Sequence, residues 1–264
     1  MNLSNAFDSH LHLAPKDDIP GLLAAARAAG VTRFLAIGTD HEDSCFIQSL
    51  TSAHANLFCA IGVHPHEAAG FDGDLAPFRE LAHTPGVVAI GEIGLDYHYT
   101  YSPRDTQRRV FQQFLELARE LKLPAIIHCR EAEADSLAVL RDAAAAGVRL
   151  EVHSFAGTPA FAEQCLALGA WFGFNGILTF PKADLVRAAL AVVPLNRVLA
   201  ETDSPYLAPA PHRGKRNEPA YLVEVIRAIA AIKEIPESEA AGVTSANACR
   251  FLGIPLDNEG AAAR

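Results

Sequence analysis

The chain has 264 residues, half of them apolar, and a formal net charge of −9. An α/β barrel alone takes about 250 residues, so the length suits one large domain. The acidic balance argues against a protein that coats nucleic acid through a broad basic face, though a nuclease can draw its positive charge from bound metal.

The candidate elements run in strict alternation. A first apolar run over 6–13 carries His10-x-His12, and an alanine-rich helix closed by Gly30 leads to a second run, 33–38. The third run, 58–64, opens into His64-Pro65-His66-Glu67, and the fourth, 87–97, holds Glu92. Ser102-Pro103-Arg104-Asp105 then reads as an N-cap, a first-turn proline and an early acidic residue. The helix that follows places Val110, Phe111, Phe114, Leu115, Ala118 and Leu121 on one face. Run five, 125–129, carries His128, and Gly147 closes the next helix. Run six, 149–155, carries His153, and a helix opens at Thr158-Pro159 and stops at Gly169. Runs seven (171–176) and eight (198–203, ending in Asp203) precede a proline-rich loop, 205–219. A helix over 220–233 and another ending near Leu252 complete the pattern, with 257–264 expected to be a frayed tail.

Eight such βα units without a linker predict a single (β/α)8 TIM barrel spanning 1–264, with its active site at the C-terminal ends of the strands. A doubly wound sheet would carry a glycine-rich turn after its first strand, where this chain has His-x-His. Two residues apart on a strand, His10 and His12 share a face and can grip one ion. Glu92 can bridge two ions, and Asp203 on the eighth strand returns beside the first once the barrel closes. One ion is therefore expected on His10, His12, Glu92 and Asp203, the other on Glu92, His128 and His153. Such a pair lowers the pKa of a bridging water and supplies hydroxide at neutral pH. Glu92 and Asp203 are the catalytic candidates, the aspartate orienting that hydroxide and taking its proton. The mixed ligands fit Zn²⁺ or Mn²⁺, with Mg²⁺ an alternative.

DSHLHL, IGVHPHEA, GEIGLDYHY, SPRDTQ, PAIIHCREA, ETDSPYLAP, RGKRNEP and TSANACRFLGI together resemble the TatD family of metal-dependent deoxyribonucleases, from Phe7 to about Ile254. The resemblance implies a barrel with a divalent metal centre, hydrolysis of DNA phosphodiesters, often from the 3′ end, and the same six ligands. Three positions depart from the family's usual pattern. Ser154 stands where cysteine is common, strand seven reads GFNG over 173–176, and Phe114 stands where glutamine is frequent.

His64, His66, Arg130 and Arg213 are the substrate candidates: imidazoles beside the third strand, a guanidinium after the fifth, and one in the basic cluster 212–218. Asn217 and Glu218 are expected to fix that loop and cap the next helix. Single-stranded DNA or a 3′ end is the expected partner, with no obligate protein partner evident. The alternative is an amidohydrolase-type enzyme acting on a small ester, lactone or amide. Many such relatives bridge their metals with a carboxylated lysine, and none of the five lysines here ends a candidate strand. No apolar stretch reaches the roughly 18 residues of a membrane span. The N-terminus lacks the basic-then-apolar pattern of a secretory leader, and the five cysteines are odd in number and form no CxxC pair, so a reduced, cytoplasmic protein is expected.

Overall fold

A computed structural model describes residues 5–99 and 101–256; the predicted tail at 257–264 lies outside them. Eight parallel strands form one sheet in sequential order: β1 (Ala6–Leu11), β2 (Val31–Ile37), β3 (Leu57–Ile61), β4 (Val87–Asp96), β5 (Ala125–Arg130), β6 (Leu150–Val152), β7 (Trp171–Phe174) and β8 (Val198–Ala200). Helices α1 (Ile19–Ala28), α2 (His41–Thr51), α3 (Ala76–Leu81), α4 (Arg104–Leu121), α5 (Glu133–Ala145), α6 (Pro159–Ala167), α7 (Asp184–Val192), α8 (Leu222–Lys233) and α9 (Glu237–Leu252) alternate with them. The sheet closes where β1 meets the chain after β8: His12 N–H donates to Ser204 O at 2.7 Å, and Asp203 N–H to His10 O at 2.9 Å. This is the predicted barrel.

Two apolar layers hold it. The larger lies between the strands and the surrounding helices, including Val110, Phe111, Phe114, Leu115 and Ala118 of α4. The smaller gathers Phe7, Leu35, Ala60, Ala89, Ile126, Trp171 and Leu199 from seven strands, side chains that can meet only in the lumen. Ala248, Cys249, Phe251 and Leu252 of α9 join this cluster and close one end, leaving the other end to polar groups.

Register shifts aim the site residues inward. Ile90 and Ile93 both pack in the outer layer, an odd separation that strict alternation forbids. A shift between them in the β4–β5 ladder resolves the conflict and turns Glu92 toward the lumen. Ala6 and Leu11 pose the same conflict on β1, resolved by shifts on either side of Phe7–Asp8.

Helix ends follow the local signals in most places. Thr158 Oγ1 accepts from Phe161 N–H at 3.2 Å and caps α6, and Gly30, Gly147 and Gly169 take the positive φ that ends a helix. Ser102 is a correction. Its hydroxyl makes no cap; it donates to His66 O at 2.8 Å and accepts from Ala69 N–H at 2.9 Å, tying down the loop after β3. No helix among the described residues is long and apolar enough to cross a membrane.

Candidate metal centre

Glu92 is the hub. The residue is 2% exposed, and five imidazoles surround its carboxylate. His128 Nδ1 and His153 Nε2 lie 2.6 and 2.7 Å from Oε1, with His64 Nε2 at 3.6 Å. On Oε2, His10 Nε2 stands at 3.4 Å and His12 Nε2 at 3.9 Å. Asp203 adds a second carboxylate, Oδ1 to His12 Nε2 at 3.4 Å. Asp203 adopts φ 55°, in the left-handed region, with its N–H bonded to His10 O of β1.

Among the described residues, ligand atoms gather within coordination reach in three overlapping groups: His10–His12–Asp203, His10–Glu92–His153 and His64–Glu92–His128. The first joins three of the four residues expected around one ion. The others differ in partner, because His64 rather than His153 groups with Glu92 and His128. His153 stacks on His10 with ring centroids 3.8 Å apart, placing it between the two ends of the centre. The chain thus brings together all six predicted ligands and adds His64, which the sequence suggests for substrate.

The donor chemistry suits a divalent cation. His10 is wholly buried, and neither of its ring nitrogens has a hydrogen-bond partner, an arrangement that costs free energy unless something else binds there. Burial, reinforced by the nearby His153, pushes the His10 pKa down, and burial takes His64 to about 3, so both are neutral donors. Burial opposes ionisation of Glu92 too, but His153, His64, His10 and His128 outweigh it and hold the carboxyl well below its ordinary range. Asp203 is likewise lowered, its contact with His12 overcoming burial. Burial depresses His12, His128 and His153, yet their carboxylate neighbours raise all three above the usual imidazole value. Without metal, protons therefore supply the positive charge that the carboxylates demand.

A second tier of buried carboxylates backs the imidazoles, and these were missed from sequence. Asp96 Oδ2 sits 3.0 Å from both His128 Nε2 and His66 Nε2, while Oδ1 accepts from the N–H groups of His98 and Tyr99 at 3.0 Å each. Gln107 of α4 grips the Asp96 backbone, accepting from its N–H at 2.8 Å and donating to its carbonyl at 3.0 Å. Glu201 Oε1 faces His153 Nδ1 at 3.4 Å and accepts from Ser154 N–H at 2.7 Å. Ser154 and Asn175, both at departures from the family pattern, bond each other: Asn175 Nδ2 donates to Ser154 Oγ at 2.8 Å. Asp8 accepts from the N–H and hydroxyl of Thr202, bracing the turn into Asp203.

The substrate candidates lie on the same rim in different states. His66 is fixed by Asp96, and the guanidinium of Arg130 lies 4.9 Å from the Tyr99 ring centroid. Arg213 packs over Phe180 at 3.9 Å, while His212 stacks on Tyr221 and Arg216 pairs with Asp17. Asn217 ties this loop as expected, donating to Thr202 O and Tyr206 O at 2.8 and 2.6 Å. The predicted side-chain cap on the next helix is absent.

A family model of TatD-related DNases matches residues 7–253. The chain belongs to the TatD family. It is 37% identical over 252 residues to the metal-dependent hydrolase YabD of Bacillus subtilis, covering 94% of this chain and 99% of that one. It is also 37% identical over 237 residues to the 3′-5′ ssDNA/RNA exonuclease TatD of Cronobacter turicensis, covering 88% of this chain and 90% of that one. The crystal structure of YjjV, a TatD homologue from Escherichia coli K12, superposes with a TM-score of 0.89 at 27% identity, over 95% of this chain and 98% of that one. Membership makes this TatD-family chain a metal-dependent hydrolase acting on ester bonds.

Proposed function

We propose that the chain is a 3′–5′ exonuclease of single-stranded DNA, with RNA as a second substrate, working through two divalent cations. The observation that carries this reading is the Glu92 hub, one buried carboxylate whose two oxygens each face a separate set of imidazoles. His10, His12 and Asp203 would hold one ion and His64 and His128 the other, with Glu92 common to both and His153 between them. When bound, the two ions supply Lewis acidity, lowering the pKa of a water and neutralising phosphate charge. Relatives named as 3′-5′ ssDNA/RNA exonucleases support the substrate class.

The chain's own residues do the rest. Asp203, ionised and held beside His12, is placed to orient the attacking water and accept its proton. His66 and Arg130 are placed to donate to phosphate oxygens from the β3 and β5 side, and Arg213 from the β8 loop. Asp96 fixes the outward nitrogen of His128, so that ring keeps its aim between turnovers, and Glu201 sets a carboxylate 3.4 Å from the outward nitrogen of His153. Among the described residues the clustered groups are imidazoles and carboxylates, with Glu92 in the bridging place that a carboxylated lysine takes in many amidohydrolases.

The test is release of nucleotides from end-labelled single-stranded DNA and RNA with Mg²⁺, Mn²⁺ or a chelator, beside Glu92→Ala. Metal-dependent shortening from the 3′ end, lost in the variant, is the expected result. A metal-loaded, folded protein that cuts neither polymer would overturn the proposal in favour of a small-molecule ester.

A further inference from the structure

Exposed aromatic rings gathered at one rim call for something to cover them. Three tyrosines here qualify: Tyr99, Tyr101 and Tyr206 are 39%, 66% and 60% exposed. Tyr99 and Tyr101, in the loop after β4, lie near-parallel at 12° with centroids 5.3 Å apart, and the Arg130 guanidinium sits over Tyr99. His66 stands edge-on to both rings, at 5.4 and 4.8 Å. The same imidazole bonds Asp96, which also holds His128, so the tyrosine pair reaches the centre through one side chain. Tyr206 lies in the loop after β8, three residues beyond Asp203, and meets the His12 ring edge-on at 5.8 Å. In an eight-stranded barrel of sequential order, β4 and β8 stand on opposite sides of the mouth.

We infer that Tyr99–Tyr101 and Tyr206 are two base-stacking positions that hold successive nucleotides of one strand on either side of the scissile phosphate. The inference rests on the nuclease reading above. Any base has a face that stacks on tyrosine, so such positions tolerate sequence while demanding that bases be unpaired. A duplex keeps those faces inside its own stack, which favours single strands and frayed ends. Two anchors flanking the centre also fix the phosphate between them, which makes attack effectively intramolecular. The arginine beside Tyr99 adds a cation over the π-faces and a donor for the neighbouring phosphate.

The experiment replaces one base at a time near the 3′ end of a single-stranded oligonucleotide with an abasic tetrahydrofuran residue. kcat/KM is then compared for wild type, Tyr101→Ala, Tyr101→Phe and Tyr206→Ala, with metal content and melting temperature measured for each. Removing the base that stacks should cost wild type about tenfold. Tyr101→Ala should lose about tenfold on the intact strand and no longer respond to base removal at one position. Tyr206→Ala should become insensitive at the position across the scissile bond, and Tyr101→Phe, which keeps a ring to stack on, should still respond to base removal where Tyr101→Ala does not. Indifference of wild type to every abasic residue overturns the inference. So do equal losses by the alanine variants on intact and abasic strands, and both results leave the nuclease reading standing. A metal-loaded wild type that cuts no oligonucleotide removes the nuclease reading and the stacking positions with it.

Discussion

Asp96 holds two imidazoles at once, and Asp96→Asn is the sharpest probe of how this centre is built. One carboxylate oxygen serves His128 and His66, and the other serves two backbone N–H groups. Burial works against its charge, yet the bonds from His128, Tyr99 and His66 keep the carboxyl below the ordinary aspartate range. An asparagine can still accept from the backbone at Oδ1, but its amide turns N–H donors toward both imidazoles. A ligand histidine whose outer nitrogen carries hydrogen then faces a donor instead of an acceptor. Losses of this kind run at about 10- to 100-fold in metal affinity, or about 1.4 to 2.7 kcal/mol. The loss should fall on the ion beside His128 alone, because His10, His12 and Asp203 make no contact with Asp96. Titration of Mn²⁺ or Zn²⁺ into metal-free protein against a competing chelator separates the two classes of site. Affinities within twofold of wild type at both sites, in a folded variant, would refute the claim that Asp96 orients His128.

Three further outcomes follow from the same geometry. Burial lifts Asp8 from 3.8 to about 8, so the folded state keeps a proton that the unfolded chain has lost. That contribution to stability falls as pH rises between those values and is flat above them. Asp8→Asn should therefore gain on wild type by on the order of a few kcal/mol from pH 5 to 8, read from urea unfolding of metal-free protein; a difference constant with pH would sink the idea. Metal uptake near pH 7 should release protons from His12, His128 and His153, whose values are raised, and affinity should climb with pH until they are neutral. Calorimetry in buffers of different ionisation enthalpy reads this directly, and an enthalpy independent of buffer would contradict it. Gly94→Ala puts a Cβ 2.0 Å from the His128 carbonyl oxygen at φ +145°, where only parting β4 from β5 makes room. A loss of about 3 kcal/mol or more in urea unfolding is expected, and stability within about 1 kcal/mol of wild type would count against the β4–β5 packing described.

The convergence of the six residues expected as ligands was legible because each interrupts or ends an apolar run, and a barrel of sequential strands brings such ends together whatever the loops do. What periodicity could not supply was pairing. Asp8, Asp96, Glu151 and Glu201 also interrupt apolar runs, and a buried carboxylate is costly without a partner, so their signal was present in the chain. Which group a carboxylate addresses, His128 and His66 for Asp96, His153 for Glu201 or Thr202 for Asp8, depends on register shifts that leave no mark in the residue pattern. His64 illustrates the same limit: it lies three residues beyond β3, and nothing local distinguishes a turn histidine from one whose Nε2 faces Glu92. At Ser102 the local rule failed for a definite reason. Ser-Pro-x-Asp offers a hydroxyl at the start of a helix, but α4 begins at Arg104 with Pro103 itself in the cap position and Asp105 in the first turn, which leaves Ser102 one residue too early. The loop after β3, by contrast, presents a carbonyl at His66 and an N–H at Ala69 that this hydroxyl satisfies together. The tertiary demand wins because the hydroxyl can meet two backbone groups there and one at the cap. That same bond fixes the backbone of His66, whose side chain meets Asp96 and the tyrosine pair, so the residue misread as a helix cap belongs to the support of the site.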